Sequence, residues 1–192
     1  MADGLVESVP DEFQDQVARV LLSEERIGAR VKELGAQIGE AYRDQPLVIL
    51  GVLTGSYMFV ADLTRAIPLS KLEVYFIKAS SYEGTGSSGQ VKLSGLDHVD
   101  LTGRHVLIVE DIVDTGLTLQ KLKQAVRELD CKSVAACTLL HKNTSRRLEG
   151  TPPVEFVAFE IADEFVVGYG LDYNQSLRHL PFVGIFRTKS AS

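Results

Sequence analysis

From Ser23 onward, apolar residues fall at Ile27, Val31, Leu34 and Ile38, the spacing of one helical face. Ser23 is placed to cap this helix, and Glu24 and Glu25 suit its positive end. Pro46 closes the connection to LVILGVL (47–53), a short, continuously apolar run of the kind a strand shows when both faces are covered. Gly51, Gly55 and Ser56 loosen the turn after this strand. YMFVADLTRAI (57–67) reads as a helix that Pro68 ends. LEVYFIKASSY (72–82), rich in β-branched and aromatic residues, reads as a strand. EGTGSSGQVKLSGLDHVD (83–100) is dense in Gly and Ser and reads as a long loop, either a lid or a disordered segment. VLIVED (106–111) is a second buried strand. LTLQKLKQAVRELD (117–130) is a helix with apolar Leu119, Leu122, Val126 and Leu129. SVAACTLLHK (133–142), VEFVAFEI (154–161) and EFVVGYG (164–170) are further strands, and residues 1–16 form a loose arm. The alternation of strand and helix predicts an α/β fold: a mostly parallel, twisted sheet flanked by helices.

Composition narrows this picture only a little. A chain of 192 residues, 45% hydrophobic and 24% charged, fits one soluble domain over 1–192. No apolar stretch approaches the ~20 residues of a membrane helix, so no membrane partner is expected. The start, MADGLVESVPDEF, lacks the basic-then-apolar order of a secretory signal. Cys131 and Cys137 make no framework, and a reducing cytoplasm is the expected compartment. The net charge of −6 argues against a nucleic-acid coat. A polyanionic substrate would need local groups and a metal ion to offset that field. His98, His105, His141 and His179 show no metal-ligand spacing.

The segment VLIVEDIVDTGLTL (106–119) carries the chemistry. Its apolar run delivers Glu110 and Asp111 to the C-terminal end of a strand, where open α/β sheets bind ligands. Asp114-Thr115-Gly116-Leu117-Thr118 then turns into a helix. Gly116, the hydroxyls of Thr115 and Thr118 and the helix N-terminus make a cradle suited to a phosphate monoester. The two carboxylates can accept from sugar hydroxyls, directly or through Mg²⁺. Diol acceptors beside a phosphate cradle suggest a ribose-5-phosphate site. Simple turn or helix capping by Asp114 is the competing reading.

The same segment resembles, over its full length, the phosphoribosyl-diphosphate (PRPP) motif of type I phosphoribosyltransferases, and most closely that of the hypoxanthine-guanine branch. The likeness runs from about Val20 to about Ile185 and includes LGVLTGSYMFVADL, FIKASSY, TLLHK and FVVGYGLDYNQSLR in the family's order. It implies the type I fold, with a small hood built from the N- and C-terminal segments. It implies transfer of the phosphoribosyl group from PRPP to a 6-oxopurine with Mg²⁺ as cofactor, in a homodimer or homotetramer.

Site residues follow from the same resemblance. Glu110 and Asp111 would hold the ribose hydroxyls, and Asp114, Thr115, Gly116, Leu117 and Thr118 the 5-phosphate. Asp114 would also be the catalytic acceptor near purine N7. Leu53, Thr54 and Gly55 match the diphosphate loop, with the peptide entering Thr54 often cis, and Arg178 also meets the diphosphate. Lys142 would donate to the 6-oxo group, Phe165 stack on the base, and Val166 present its backbone to the purine edge. Asp172 belongs to the same end and, with Glu110 and Asp111, to the metal set. Ser81 and Tyr82 match the mobile loop. Two positions depart from the pattern: Thr54 stands where lysine is frequent, and Leu117 where some relatives carry a basic residue. Lys142 argues against adenine, whereas xanthine remains open. A nucleotide- and RNA-binding regulator on the same fold is the rival from another class, and the −6 charge weighs against it.

Overall fold

The computed structural model describes residues 8–81, 91–96, 99–148 and 150–188. In chain order the elements are β1 (Val17–Leu22), α1 (Glu24–Ala41), β2 (Leu47–Leu53), α2 (Tyr57–Ala66), β3 (Leu72–Ser81), β4 (Val91–Ser94), β5 (His105–Val113), α3 (Leu117–Arg127), β6 (Ser133–Asn143), β7 (Phe156–Ala162), β8 (Val166–Val167) and β9 (Val183–Phe186). The main sheet has the order β4-β3-β2-β5-β6-β7, parallel throughout except for β4, which runs antiparallel to β3.

β2 and β5 are neighbours in the middle of this sheet, which explains their unbroken apolar runs. Leu47, Ile49, Leu107 and Val109 face the layer formed by α1 and α2, while Val48, Leu50, Val106 and Ile108 face α3. All eight are fully buried, and each such side chain contributes about 1.5–3 kcal/mol on leaving water. α1 forms as its periodicity predicts. Ser23 Oγ accepts from Arg26 N–H, and Ile27, Val31, Leu34 and Ile38 are buried on one stripe. α1 also protects the far edge of the sheet. Arg30 donates to the carbonyls of Val157 and Ala158 at 2.8 and 2.9 Å, filling acceptors that an edge strand would otherwise expose.

A second, antiparallel sheet of order β1-β9-β8 joins the two ends of the chain. This is the expected hood. Its core is Val17, Val167, Leu177, Leu180 and Phe182, with Val9 and Phe13 packed alongside.

Several expectations need correction here. The arm is not loose from residue 8 onward: Asp11–Phe13 form a 3-10 turn, and Phe13 packs on the hood. β1 and β9 were not foreseen, because each is short and finds its partner at the opposite end of the chain. β8 has only two residues, fewer than the strand expected over 164–170. Within 83–100, Val91–Ser94 form β4, so that stretch is not all loop. The helix expected to reach residue 130 ends at Arg127, and Leu129 lies outside it, exposed.

Candidate active site

Parallel strands end on one rim, and β5 brings Glu110 and Asp111 there. The strand continues through Val113 rather than stopping at Asp111, so the two acids lie within extended backbone and their side chains diverge. Glu110 lines a cavity of about 100 Å³ together with Asp114, Thr115, Gly116 and Thr118. Asp111 faces Gly55, where a Cβ would overlap its Oδ2.

The electrostatics of the pair differ. Glu110 is buried, and its Oε1 has no hydrogen-bond partner. Burial, followed by the charge of Asp111, pushes its pKa well above the usual carboxylate value. Asp111 is also raised, chiefly by burial. The Ile112 N–H, donating to its Oδ1 at 2.9 Å, and the charge of Arg178 oppose that rise, and Asp172 adds to it.

The turn after β5 depends on Gly116, whose φ of 84° lies in the left-handed region that glycine tolerates. A Cβ there would also overlap the Thr151 methyl. Gly116 is the N-cap residue of α3 and offers no side chain. Thr115 Oγ1 accepts only a long bond from Leu117 N–H, at 3.4 Å. Asp114 is therefore not the helix cap, and the first-turn amides of α3 border the cavity with little competition from side-chain acceptors, as an anion site requires. The Leu117 side chain is exposed and can contribute only its backbone.

β2 delivers Leu53, Thr54 and Gly55 to the same rim. The Leu53–Thr54 peptide is cis, as the resemblance implied. Ser56 Oγ donates to the Val52 carbonyl at 2.7 Å and ties the turn shut. The segment after β8 packs on this loop: Gly170, at a φ of 100°, meets the Gly55 carbonyl so closely that a Cβ would overlap it. Arg178 donates to the Gly170 carbonyl at 2.8 Å and pairs with Asp172 at 2.8 Å. Asp172 also accepts from Gln175 N–H. Arg178 and Asp172 thus sit beside the 53–55 loop and β5's acids. A larger cavity, about 620 Å³, lies elsewhere, between α1 and α2 with Tyr169 and His179, and is lined by none of these groups.

A third cluster closes the far side. Lys142, near the end of β6, is 9% exposed rather than solvated as a strand-end lysine usually is. Its Nζ lies 3.3 Å from Asp163 Oδ1 and 3.9 Å from Asp114 Oδ2. Arg146 Nη2 donates to Asp114 Oδ2 at 3.1 Å and to both Asp163 oxygens at 2.9 and 3.0 Å. Asp114 Oδ1 is shielded from solvent and has no partner. Phe165 is 49% exposed, which removes the buried-core reading. It meets Tyr173 and Phe186 edge-on at 6.1 and 5.6 Å, and those two stack at 4.1 Å. Val166 turns its side chain into the core and pairs with Ile185, so only its backbone is available to a ligand.

Close contacts join Gly55 to Asp111 and Gly170, Asp172 to Arg178, and Lys142 to Asp114, and Glu110, Asp114, Thr115, Gly116 and Thr118 line one cavity. Ser81 ends β3, but its side chain and Tyr82 lie outside the described residues. Register places Lys78 of β3 beside Leu53. Among the described residues no group of three His, Cys, Asp or Glu could cage a metal, so Glu110, Asp111 and Asp172 do not form a closed site by themselves. Arg146, Asp163 and Tyr173 were not singled out from the sequence. Nothing in their spacing marks them, and only the convergence of three chain segments does.

A parallel sheet whose paired acids run into an uncapped glycine turn sets sugar-hydroxyl acceptors beside an anion cradle, the arrangement that a ribosyl-phosphate-binding class of protein needs. The chain belongs to the phosphoribosyl transferase domain family, whose model matches residues 19–174. Among its relatives, the hypoxanthine phosphoribosyltransferase of Escherichia coli (strain K12) is 50% identical over 169 residues, covering 86% of this chain and 93% of that one. The hypoxanthine-guanine phosphoribosyltransferase of Bacillus subtilis (strain 168) is 43% identical over 176 residues, covering 91% and 96%. A crystal structure of a hypoxanthine phosphoribosyltransferase from Staphylococcus aureus superposes with a TM-score of 0.84 at 38% identity, covering 94% of this chain and 97% of that one.

Proposed function

We propose that this phosphoribosyltransferase serves purine salvage, transferring the 5-phosphoribosyl group of PRPP to hypoxanthine, guanine or both and releasing diphosphate. The observation that carries the choice of base is the meeting of a cation with an unfilled acceptor. Lys142 Nζ lies 3.9 Å from Asp114 Oδ2, and Asp114 Oδ1 is unpartnered. A 6-oxopurine presents O6 and N7 on one edge. The ammonium donates to O6 and finds no acceptor in the 6-amino group of adenine. Asp114 accepts the N7 proton while N9 attacks carbon 1 of the ribose. Phe165 offers its exposed ring to the face of the base, and the Val166 backbone meets its edge.

Glu110 and Asp111 accept from the ribose hydroxyls. The unpartnered Oε1 of Glu110 gains a donor in this way, which offsets the cost of holding a buried charge. The turn Asp114–Thr118 binds the 5-phosphate with backbone N–H groups and threonine hydroxyls. Leu53, Thr54 and Gly55 hold the diphosphate through their backbone, and Arg178 supplies the positive side chain that Thr54 lacks. Positioning these groups together supplies much of the rate gain. For Ser81 and Tyr82 the proposal keeps the role that the resemblance implies, that of the mobile catalytic loop.

Oxygen donors at Glu110, Asp111 and Asp172 are of the kind that would suit Mg²⁺. When bound, Mg²⁺ would neutralise charge on the leaving diphosphate. The proposal includes a cytoplasmic homodimer or homotetramer of a single-domain chain. No helix among the described residues is long and apolar enough to cross a membrane.

Initial rates with PRPP and each of hypoxanthine, guanine, xanthine and adenine test the reading. Turnover of hypoxanthine or guanine with adenine at least about tenfold poorer is expected. Equal use of adenine would remove Lys142 from its role.

A further inference from the structure

Asp163 has no part in the roles above, yet it is the most connected acid at the purine end. It follows β7 and precedes Phe165 by two positions in the sequence. Its Oδ1 accepts from Lys142 Nζ at 3.3 Å and from Arg146 Nη2 at 2.9 Å. Its Oδ2 accepts from Thr144 Oγ1 at 3.1 Å and from Arg146 Nη2 at 3.0 Å. Arg146 goes on to Asp114 Oδ2 at 3.1 Å. One carboxylate therefore links β7's exit, the end of β6, the segment after β6 and the turn after β5.

We propose that Asp163 is a positioning and specificity-determining residue: by gripping Lys142 and Arg146 at once, it sets the distance between the donor for the purine 6-oxo group and the acceptor for N7. The proposal rests on the base-site reading given above. Two consequences of the geometry support it. Lys has a flexible four-carbon stem and a freely rotating ammonium, so Lys142 needs a fixed partner to present its charge at one place. Asp163 is that partner and is closer to Nζ than Asp114 is. Arg146 is planar and forked. Pinned by Asp163, it occupies Asp114 Oδ2 and leaves Oδ1 as the unpartnered acceptor. Asp163 touches neither purine nor PRPP and acts through its two cationic neighbours.

An electrostatic support of this kind differs from a merely structural one in which substrate it affects. Asp163→Asn keeps the shape but removes the charge that holds two cations. It is expected to lower kcat/KM for hypoxanthine or guanine by about 10- to 100-fold, the range for losing a charge-assisted hydrogen bond. PRPP affinity, read by calorimetry on the same preparation, should change less than about threefold, which also reports a folded phosphate site. Discrimination against adenine should narrow, because Lys142 is no longer held. Arg146→Ala should lower kcat more than it raises the purine KM. The double variant Asp163→Asn/Arg146→Ala should lose little more than the worse single variant, since coupled residues are not additive.

Equal losses for PRPP and purine, unchanged purine kinetics in Asp163→Asn, or multiplicative losses in the double variant would each overturn the proposal. Lys142→Ala run in parallel separates the two levels. Weakened purine use in Lys142→Ala with unchanged kinetics in Asp163→Asn would overturn the role of Asp163 alone. Unchanged purine use in Lys142→Ala would overturn the base-site reading, and the proposal with it.

Discussion

Gly55 shows how much of this site is decided by single atoms. It has no side chain because Asp111 Oδ2 occupies the place where one would be, and its carbonyl in turn excludes a side chain at Gly170. Three chain segments can meet there only because two of them are glycine. Gly55→Ala therefore cannot be absorbed by a flexible side chain tip, since the neighbour is a short carboxylate in a packed rim. Overpacking of this kind costs about 1–3 kcal/mol. On the role proposed for Asp111, its displaced carboxylate would meet the ribose hydroxyls in the wrong orientation. The expected result is a KM for PRPP raised by about tenfold or more, with a melting temperature lowered by a few degrees. An alanine variant with wild-type PRPP kinetics would show that Asp111 does not contact the sugar.

At the level of elements, the site depends on how tightly each helix lies on the sheet. α1 and α2 approach each other through Gly35, where a Cβ would lie 2.6 Å from the Ala66 carbonyl oxygen. Backbone cannot yield there as a side chain can. Gly35→Val should thus push α2 away from α1 and lower stability by about 1–3 kcal/mol, measured by denaturant unfolding. α2 begins directly after the 53–55 loop, so the same shift should weaken PRPP binding although Gly35 touches no site residue. The helix α3 is held differently. Lys123 is almost fully buried and donates to Glu155 and to the Pro153 carbonyl at 2.7–2.8 Å, while Glu155 accepts from Ala136 N–H. That network fastens the entry to β7, and through β7 the position of Asp163 and Phe165.

For the molecule as a whole, pH enters through the layer contacts as well as the site. His105 opens β5, donates or accepts at Ser133 Oγ through Nδ1 at 2.7 Å and packs edge-on against Tyr42. Its Nε2 is buried without a partner. Burial, then the charge of Lys132, holds its pKa below the usual histidine value. A depressed native pKa means that the fold favours the neutral ring. The resulting stability is complete above the ordinary value of about 6.5 and is lost as pH falls through the lowered native value. His105→Gln should therefore show a smaller drop in melting temperature between about pH 8 and about pH 5 than the unsubstituted chain. Parallel curves for the two would mean that His105 titrates alike in the folded and unfolded chain.

The sequence alone determined the elements whose signals are local. A buried central strand must be apolar throughout, and a helix on one face must repeat every three or four residues. β2, β5, β6, α1, α2 and most of α3 were legible for those reasons, and the acid pair and glycine turn of 106–119 were legible as one contiguous motif. The hood was implied only through resemblance, because β1 and β9 are short strands whose hydrogen-bond partners lie at opposite ends of the chain. Tertiary structure alone decided the rest. It placed Phe165 outside the core, made Gly116 rather than Asp114 the cap of α3, buried Lys142 between two carboxylates, and gathered Arg146 and Asp163 around them. These outcomes depend on through-space distances of a few ångströms between segments far apart in the chain, and periodicity along a sequence carries no record of such distances.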